Sequence, residues 1–352
     1  MKFFTSEQVS KYHPDKYADQ ISDAVLAACL QQDRESRVAC ECMVKGKNVY
    51  LCGEITTRAE VNCSEVAKAV GKKLGYGVET VIQQITVQSP EIADGIKKGQ
   101  ELCAGDQGVM FGFACSETAS RLPYGHDLAN RIIALLEDDV ANGYSILKGD
   151  AKCQVTVDMD MPRSPESVVE ILVSACHKES YGLRDVREYI NDLIQCSGID
   201  VGKAKLNINP AGIWTFGGPE ADCGLTGRKI ICDQYGGYCS AGGGAFSGKD
   251  PSKVDRSGAY MARVIACELA EKYQLKFCTI QLAYAIGQAN PMSVTVQSSQ
   301  PADDLLYTEE VCKNYDLTPF GIIRRLNLLD IDYEKLSEGC HFRDASIGGL
   351  AI

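Results

Sequence analysis

Apolar and polar residues recur along the chain in two patterns, one typical of helices and one of strands. After His13-Pro14-Asp15, apolar residues follow at helical spacing through Ala28. Pro14 suits the first position of a helix, and Asp15 suits its positive end. From Val38 to Val44 apolar residues instead alternate with others, which predicts a strand, and a second strand is predicted at 49–55.

The same patterns continue to the end of the chain. Helices are predicted in "SEVAKAVGKKLG" and near residues 126–140, 186–196 and 255–272; strands are predicted in "IQQITV", "VMFGFACS", "CQVTVDMDM", "VVEILVSAC", "KFCTIQLAYAIG" and "MSVTVQSS". "QSPEIADGIKKGQELCAGDQG" has many breakers, which predicts a mobile loop and the first domain boundary. The two element types mix without strict alternation. This favours α+β sandwiches with helices on one face of each sheet.

Composition narrows the functional classes. A chain of 352 residues suggests two or three domains. Its longest apolar runs are too short to span a bilayer, its first residues have no signal-peptide pattern, and its net charge of −11 disfavours nucleic acid and anionic membranes. The 17 cysteines lack zinc-site spacing. We therefore interpret them as reduced, small core residues of a cytoplasmic protein.

The stretch "GGGAFSGKDPSKVDRS", from Gly242 to Ser257, combines loose backbone with many charges. Gly243–Lys249 fits G-x-x-x-x-G-K, but Asp250 replaces the Ser or Thr of a P-loop, and Pro251 breaks the helix that should follow. Glycines nevertheless let N–H groups converge on an anion, and Asp250 and Asp255 suit Mg²⁺. A polyphosphate bound with a metal fits these residue types. A solvated turn is the alternative.

Three further segments share this character: "HPDK", "AGDQG" and "DCGLTGRK". Each alone is typical of a capped turn. Four such segments in one acidic chain instead suggest a divided polyphosphate–metal site.

Together these segments resemble the S-adenosylmethionine synthetase (methionine adenosyltransferase) family. "GGGAFSGKD" and "AGDQG" resemble the family's two signatures, and "HPDKYADQISDAV", "GEITT", "QSP", "DAKCQVT", "GGPEADCGLTGRKI", "KDPSKVDRS" and "YAIG" follow the family's order. The similarity runs from about Thr5 to about Phe342. It implies that methionine sulfur attacks C5′ of ATP and displaces triphosphate, which is then hydrolysed to pyrophosphate and phosphate.

The resemblance also implies an architecture. We expect three similar two-layer α/β sandwich domains around a pseudo-threefold axis, at 1–98, 99–216 and 217–352, with segments exchanged between them. The family forms homodimers or homotetramers with the active site at the dimer interface. No nucleic-acid or membrane partner is expected.

Site residues follow from the matched motifs. The residues implied in catalysis are His13, Lys152, Arg228, Lys229, Lys249 and Lys253. Those implied in ATP binding are His13, Asp150, Lys152, Trp214, Asp222, Arg228, Lys229, Ala245 and Lys249. Those implied in methionine binding are Glu54, Gln88, Asp106, Asp222 and Lys253. Asp15 and Asp255 would hold two Mg²⁺ ions and Glu41 a K⁺, His13 would act as donor or acid at the departing oxygen, and the loop from Gln88 to about Glu101 would gate the site.

One departure from the family affects the nucleotide site. Ile213 and Trp214 stand where the family usually has an Arg-Phe pair, and Trp214 can still stack on adenine. Two other functions remain open at this point. A phosphoryl-transfer enzyme using Gly243–Lys249 would release ADP or AMP, and a catalytically inactive paralogue would bind nucleotide without turnover.

Overall fold

The computed structural model describes residues 2–89, 97–98, 101–343, 346–347 and 350–351. Its α-helices are α1 (Pro14–Gln32), α2 (Cys63–Lys73), α3 (Tyr124–Ala141), α4 (Leu183–Cys196), α5 (Gly218–Ala221), α6 (Ile230–Asp233), α7 (Val254–Lys272), α8 (Asp304–Asn314), α9 (Pro319–Arg325) and α10 (Tyr333–Leu336). Its strands are β1 (Phe3–Val9), β2 (Arg37–Lys45), β3 (Asn48–Thr56), β4 (Thr80–Thr86), β5 (Lys97–Lys98), β6 (Glu101–Leu102), β7 (Gly108–Cys115), β8 (Leu147–Asp158), β9 (Val168–His177), β10 (Lys205–Ile208), β11 (Gly224–Leu225), β12 (Phe277–Tyr284), β13 (Ser293–Ser298), β14 (Ser346–Ile347) and β15 (Leu350–Ala351).

Three open sheets organise these strands. Their strand orders are β11-β2-β3-β4, β1-β8-β9-β10 and β13-β12-β7. Each sheet combines strands that lie far apart in the sequence. The N-terminal β1 is antiparallel to β8, and β7 is antiparallel to β12.

A long helix packs on each sheet. The three helices have nearly equal lengths, with 19 residues in α1, 18 in α3 and 19 in α7. Helix α1 contacts β2, α3 contacts β8 and β1, and α7 contacts β7 and β12. At Gly112 of β7 a Cβ atom would lie 2.0 Å from the backbone of Ala262, so the absent side chain lets α7 approach the sheet. These three helix-on-sheet units confirm the predicted α+β fold class.

Apolar side chains form two buried cores. The larger joins α1, α2 and α7 with the sheets of β2 and β12, and the smaller lies between α3, α4 and the β8–β9 pair. All 17 cysteines are free, and 12 of them are buried, which confirms for these 12 the predicted role as small core residues. Cys52, Cys196 and Cys312 are exposed instead.

Some predictions concern the chain beyond the described residues. The predicted gate from Gln88 to about Glu101 lies mostly outside them, and the two boundaries between the three domains remain predictions. No helix in the described part has the length and apolar character needed to cross a bilayer.

Candidate active site

The N-terminus of α1 begins the candidate site. His13 is the N-cap residue, and its Nδ1 accepts a hydrogen bond from the backbone N–H of Asp15 at 3.1 Å. Burial, followed by the positive charges of Lys229 and Lys152, lowers the pKa of His13 to about 3. The imidazole is therefore neutral at pH 7, and because Nδ1 is an acceptor, its proton is on Nε2. This tautomer favours the predicted donor role of His13 over the acid role.

Asp15 lies in the first turn of α1 and is held from the opposite side by a loop. Its Oδ1 accepts from the N–H of Leu225 at 2.9 Å, and Lys229 Nζ donates to Oδ2 at 2.6 Å. Arg228 Nε lies 3.8 Å from Oδ1. Burial by itself would raise the pKa of this carboxyl, but the bonds from Lys229 and Leu225 outweigh burial and lower it.

Further charged residues surround this point. Lys152 and Asp222 both act electrostatically on His13, and Asp222 accepts from the backbone N–H of Cys223 at 2.9 Å. We call the following six residues the first cluster: His13, Asp15, Lys152, Asp222, Arg228 and Lys229.

A cavity of about 450 Å³ adjoins the first cluster at Asp150. Asp150 Oδ2 accepts from Gly218 N–H at 2.7 Å, while Oδ1 is buried with no hydrogen-bond partner among the described residues. Burial raises the pKa of Asp150 to about 6, against the opposing effects of Gly218 and Lys152. Lys148 and Phe216 also line the cavity.

The N-terminus of α7 carries a second cluster. Lys249 Nζ lies 2.5 Å from Oδ2 of Asp255, which is in the first turn of this helix. A Cβ at Gly244 would lie 2.4 Å from the Asp255 carboxylate, so this glycine lets the glycine-rich loop pass directly over it. We call Lys249, Lys253 and Asp255 the second cluster. The Lys249–Asp255 pair has the same arrangement as the Lys229–Asp15 pair of the first cluster. Asp15 and Asp255 each occupy the second position of a 19-residue helix, and each binds a lysine.

Asp250, whose residue type also suits Mg²⁺, has a structural environment instead. It is fully buried and accepts from Val38 N–H at 2.8 Å, from Ser252, and from Lys253 Nζ at 2.8 Å. Burial would raise its pKa, but the charges of Lys253 and Arg37 outweigh burial and lower it. Asp250 thus anchors the loop to β2, and its oxygens are already engaged by protein donors.

Two of the residues implied in K⁺ and methionine binding, Glu41 and Glu54, lie on β2 and β3. Glu41 and Glu54 both lie near Cys52, and their charges, after burial, raise the pKa of its thiol. Strand alternation places all three on the face opposite the buried Val38 and Leu51. Ala39 pairs with Glu54 on one side and forms a bridge to Lys249 on the other, so β2 separates Glu54 from the second cluster.

The remaining predicted residues are placed as follows. The backbone N–H of Trp214 donates to His177 Nε2 at 3.2 Å, which fixes the position of Trp214. The indole N–H of Trp214 donates to Phe216 O at 2.9 Å. Gln88 N–H donates to Thr56 Oγ1 at 3.2 Å, and Asp106 is exposed. Ala245 lies against Gly227, where a Cβ would be 2.4 Å from it.

The two clusters do not meet within the chain. In the described part, no hydrogen bond or ion pair joins the first cluster to the second, and no group of three or more His, Cys, Asp or Glu side chains could hold a metal ion. Each cluster places one carboxylate and its lysine at a helix N-terminus, a position that favours anion binding.

Family models match the chain over nearly its whole length. They are the S-adenosylmethionine synthetase N-terminal domain at residues 1–99, the central domain at 101–214 and the C-terminal domain at 216–348. The chain belongs to the S-adenosylmethionine synthetase family. The predicted activity, methionine adenosyltransferase, is thereby confirmed.

Individual relatives agree with this membership. The S-adenosylmethionine synthase of Nitratidesulfovibrio vulgaris (strain DP4) is 43% identical over 97% of this chain and 92% of the relative. That of Sulfurovum sp. (strain NBC37-1) is 42% identical over 98% and 94%. The solved structure of an unusual S-adenosylmethionine synthetase from Campylobacter jejuni superposes with a TM-score of 0.90 at 32% identity, over 99% of this chain and 96% of that one.

Two buried residues, Asp19 and Asp23, contact the candidate site but were not predicted from the sequence. Asp19 and Asp23 follow Asp15 at intervals of four on α1 and accept from backbone N–H groups of the loops that carry the two clusters. The signal was present in "HPDKYADQISDAV", because aspartates four residues apart share a helix face.

Proposed function

We propose that this S-adenosylmethionine synthetase holds the triphosphate of ATP between two lysine–aspartate pairs, Lys229–Asp15 and Lys249–Asp255. The observation that carries this proposal is their equivalence at the N-termini of α1 and α7. A triphosphate carries several negative charges, so it needs cations on more than one side. Two pairs at two helix N-termini meet that need.

The chemistry of the reaction explains why lysines dominate the site. The sulfur of methionine carries no proton, so its attack on C5′ of ATP needs no general base. The barrier depends on holding sulfur and C5′ in line and on stabilising negative charge that develops on the departing triphosphate. Lys229 and Arg228 would supply that charge from one side and Lys249 from the other. The Nε2–H of neutral His13 would donate to the departing oxygen.

Asp15 and Asp255 are the residues that would hold the two Mg²⁺ ions. Mg²⁺ is usually bound by one or two carboxylates together with substrate phosphates, which fits one carboxylate per cluster. Each carboxylate is bound by a lysine at 2.6 or 2.5 Å. A phosphate that takes over the lysine would release a carboxylate oxygen for the metal. When bound, Mg²⁺ supplies charge neutralisation of the phosphates.

The adenosine end of ATP would occupy the 450 Å³ cavity beside Asp150. Cavities of this size accept small molecules. The unpartnered Oδ1 of Asp150 is an acceptor for a ribose hydroxyl. Trp214, fixed by His177, would stack on adenine, and the backbone at Ala245 would contact the phosphates beside Gly227.

Methionine would bind between the two clusters, since the residues implied in its binding include Asp222 of the first cluster and Lys253 of the second. Glu54, Asp106 and Asp222 offer carboxylates for its ammonium group, Gln88 an amide and Lys253 a cation for its carboxylate. Glu41, on the same sheet face as Glu54, would bind K⁺.

A complete site would require two chains. The open faces of the sheets expose apolar side chains, such as Ile82 on β4 (50%) and Val109 on β7 (41%). A second copy covering such faces would bury them and bring the first cluster of one chain to the second cluster of the other. We infer a homodimer, alone or within a homotetramer.

Product analysis tests the function. The protein is incubated with ATP, methionine, Mg²⁺ and K⁺, and S-adenosylmethionine, phosphate and pyrophosphate are followed by chromatography. All three are expected in equal amounts and only when methionine is present. ADP or AMP as the product would instead indicate phosphoryl transfer, and nucleotide binding without product would indicate an inactive paralogue.

Mixing two strongly impaired variants tests the shared site. Lys229→Ala and Lys249→Ala change different clusters, so a heterodimer would have one doubly altered and one intact site. Random exchange of subunits would restore roughly a quarter of wild-type activity, because half of the dimers would have one working site of two. No recovery, with exchange shown by mass spectrometry, would place both clusters of a site in one chain.

Metal titration tests the carboxylates. Asp15→Asn and Asp255→Asn should each raise the Mg²⁺ concentration needed for half-maximal ATP binding, whereas Asp160→Asn, a change on the distant exposed turn after β8, should not. An unchanged Mg²⁺ requirement in both cluster variants would contradict the assignment.

A further inference from the structure

We propose that Asp19 and Asp23 are positioning residues that attach the two phosphate-binding loops to one face of α1. This inference rests on the proposed site, because it assigns Lys229 and Lys249 to phosphate binding. It concerns how those lysines are held rather than what they bind. The observations are hydrogen bonds that backbone N–H groups of both loops donate to carboxylates of α1.

Asp15, Asp19 and Asp23 form a buried stripe along α1. They stand four residues apart and therefore share one face of the helix. All three are at most 1% exposed. Buried carboxylates are costly unless protein donors satisfy them, so each carboxylate in this stripe requires specific partners.

Asp19 holds the loop that carries Arg228 and Lys229. Its Oδ1 accepts from the N–H of Gly227 at 2.8 Å, one residue before Arg228. Gly227 has φ +77°, a left-handed conformation that glycine adopts without strain. Ser22 on the same helix adds a hydrogen bond to Thr226 at 2.7 Å. The backbone before the two cations is thus fixed at two successive residues.

Asp23 holds the loop that carries Lys249. Its Oδ1 accepts from the N–H of Gly248 at 2.8 Å, one residue before Lys249. The same carboxylate binds the buried Arg256 guanidinium at 2.6 and 2.7 Å, and Arg256 in turn donates to Lys249 O at 3.3 Å. Gly248 has φ +80°, and a Cβ there would lie 1.9 Å from Cys40 O.

The two attachments repeat one design. In each, an α1 aspartate accepts from a left-handed glycine that immediately precedes a phosphate-binding cation. Its other carboxylate oxygen lies beside a buried cation: Lys16 Nζ is 3.0 Å from Oδ2 of Asp19 as an ion pair, and Arg256 donates to Oδ2 of Asp23 at 2.7 Å. A rigid helix spaces the aspartates evenly, so α1 sets the positions of both loops together. Misplacement of a catalytic group by about 1 Å can cost roughly 100-fold in rate, which is why such positioning matters.

A double-mutant cycle tests the inference. Asp19→Ala should lower kcat for S-adenosylmethionine formation at least tenfold, and its effect should largely vanish in a Lys229→Ala background while persisting in a Lys249→Ala background. Asp23→Ala should show the opposite dependence. This selectivity follows if each aspartate acts through its own loop, whereas a merely structural loss would add equally in both backgrounds.

Asp233→Ala is the matched control. Asp233 is about as buried as Asp19 and binds the same Lys16 at 2.6 Å. Its backbone N–H donates to Lys229 O at 2.9 Å, but among the described residues its carboxylate forms no hydrogen bond with either loop. It should lower the melting temperature comparably while leaving kcat of the folded protein near wild type. Asp19→Asn, which keeps an oxygen for Gly227 N–H, should recover most of the activity. If Asp19→Ala does not fold, Asp19→Ser replaces it in the double-mutant cycle, because the serine oxygen lies one bond nearer the backbone than the aspartate oxygens.

The outcomes separate this inference from the site proposal. Equal losses from Asp19→Ala in both lysine backgrounds, or wild-type kcat in that variant, would overturn the positioning role while leaving the site intact. Wild-type kcat in Lys229→Ala itself would instead show that the proposed site is wrong, and the inference would fail with it.

Discussion

Replacing Lys249 by alanine should change the stability of the fold little and the turnover rate strongly. The side chain of Lys249 is 23% exposed, and its ammonium group pairs with Asp255, whose side chain is 14% exposed. A partly exposed ion pair contributes about 1 kcal/mol to stability. The melting temperature should therefore fall by no more than about 4 °C.

The effect on turnover should be much larger. A hydrogen bond from a charged donor contributes roughly 1.5–3 kcal/mol. If Lys249 makes that bond to the triphosphate as charge develops, its loss corresponds to a decrease in kcat of roughly 10- to 150-fold. The loss should appear in kcat more than in KM for methionine, since Lys249 would act on the leaving group.

Steady-state assays of S-adenosylmethionine formation, combined with calorimetry, measure both quantities. Lys272→Ala is the matched control, because Lys272 also pairs with a carboxylate, Glu310 at 2.8 Å, at the opposite end of the same helix. It should lose similar stability and no activity. A Lys249→Ala enzyme within twofold of wild-type kcat would refute the placement of this lysine at the reacting phosphates.

Three further predictions concern the rest of the molecule. Burial lowers the pKa of His126 from 6.5 to about 4, so the folded state favours the neutral ring. The free energy of unfolding should therefore be highest above pH 6.5 and fall by roughly 3 kcal/mol as the pH falls towards 4. Denaturant titrations of wild type and His126→Gln across this range should diverge by that amount, and parallel curves would contradict the prediction. Gly112→Ala would place a Cβ 2.0 Å from the backbone of α7 and should destabilise the folded state by about 1–3 kcal/mol. Gly77→Ala, with no described atom within 4 Å of the added Cβ, should leave stability unchanged. Equal melting temperatures for the two variants would contradict the packing argument. Thiol titration of unreduced protein should label the exposed Cys52, Cys196 and Cys312 quickly and all 17 cysteines after denaturation, and a smaller final number would contradict the fully reduced interpretation.

Local pattern was sufficient wherever one face of an element is buried. The alternation at 38–44 predicted β2, observed at Arg37–Lys45, and the spacing after Pro14 predicted α1, observed at Pro14–Gln32. Strand β1 (Phe3–Val9) was not predicted, because its pattern is weak and its pairing partner, β8, lies about 150 residues away in the sequence. Strand β10 was missed for a related reason, being a four-residue edge strand.

The sequence by itself determined the family and the residue types of the proposed site, because motifs of glycine, lysine and aspartate and their order along the chain can be identified without knowing the fold. Only the tertiary structure decided which of these side chains are buried among protein donors and which stand at a helix N-terminus. Asp250 and Asp255 look alike in sequence, yet one is buried under Val38 and Lys253 and the other stands in the first turn of α7. The same holds for Asp19 and Asp23, whose partners Gly227 and Gly248 lie more than 200 residues away. Hydrogen bonds between segments so distant depend on how helices and sheets pack, and no local pattern in the sequence records that packing.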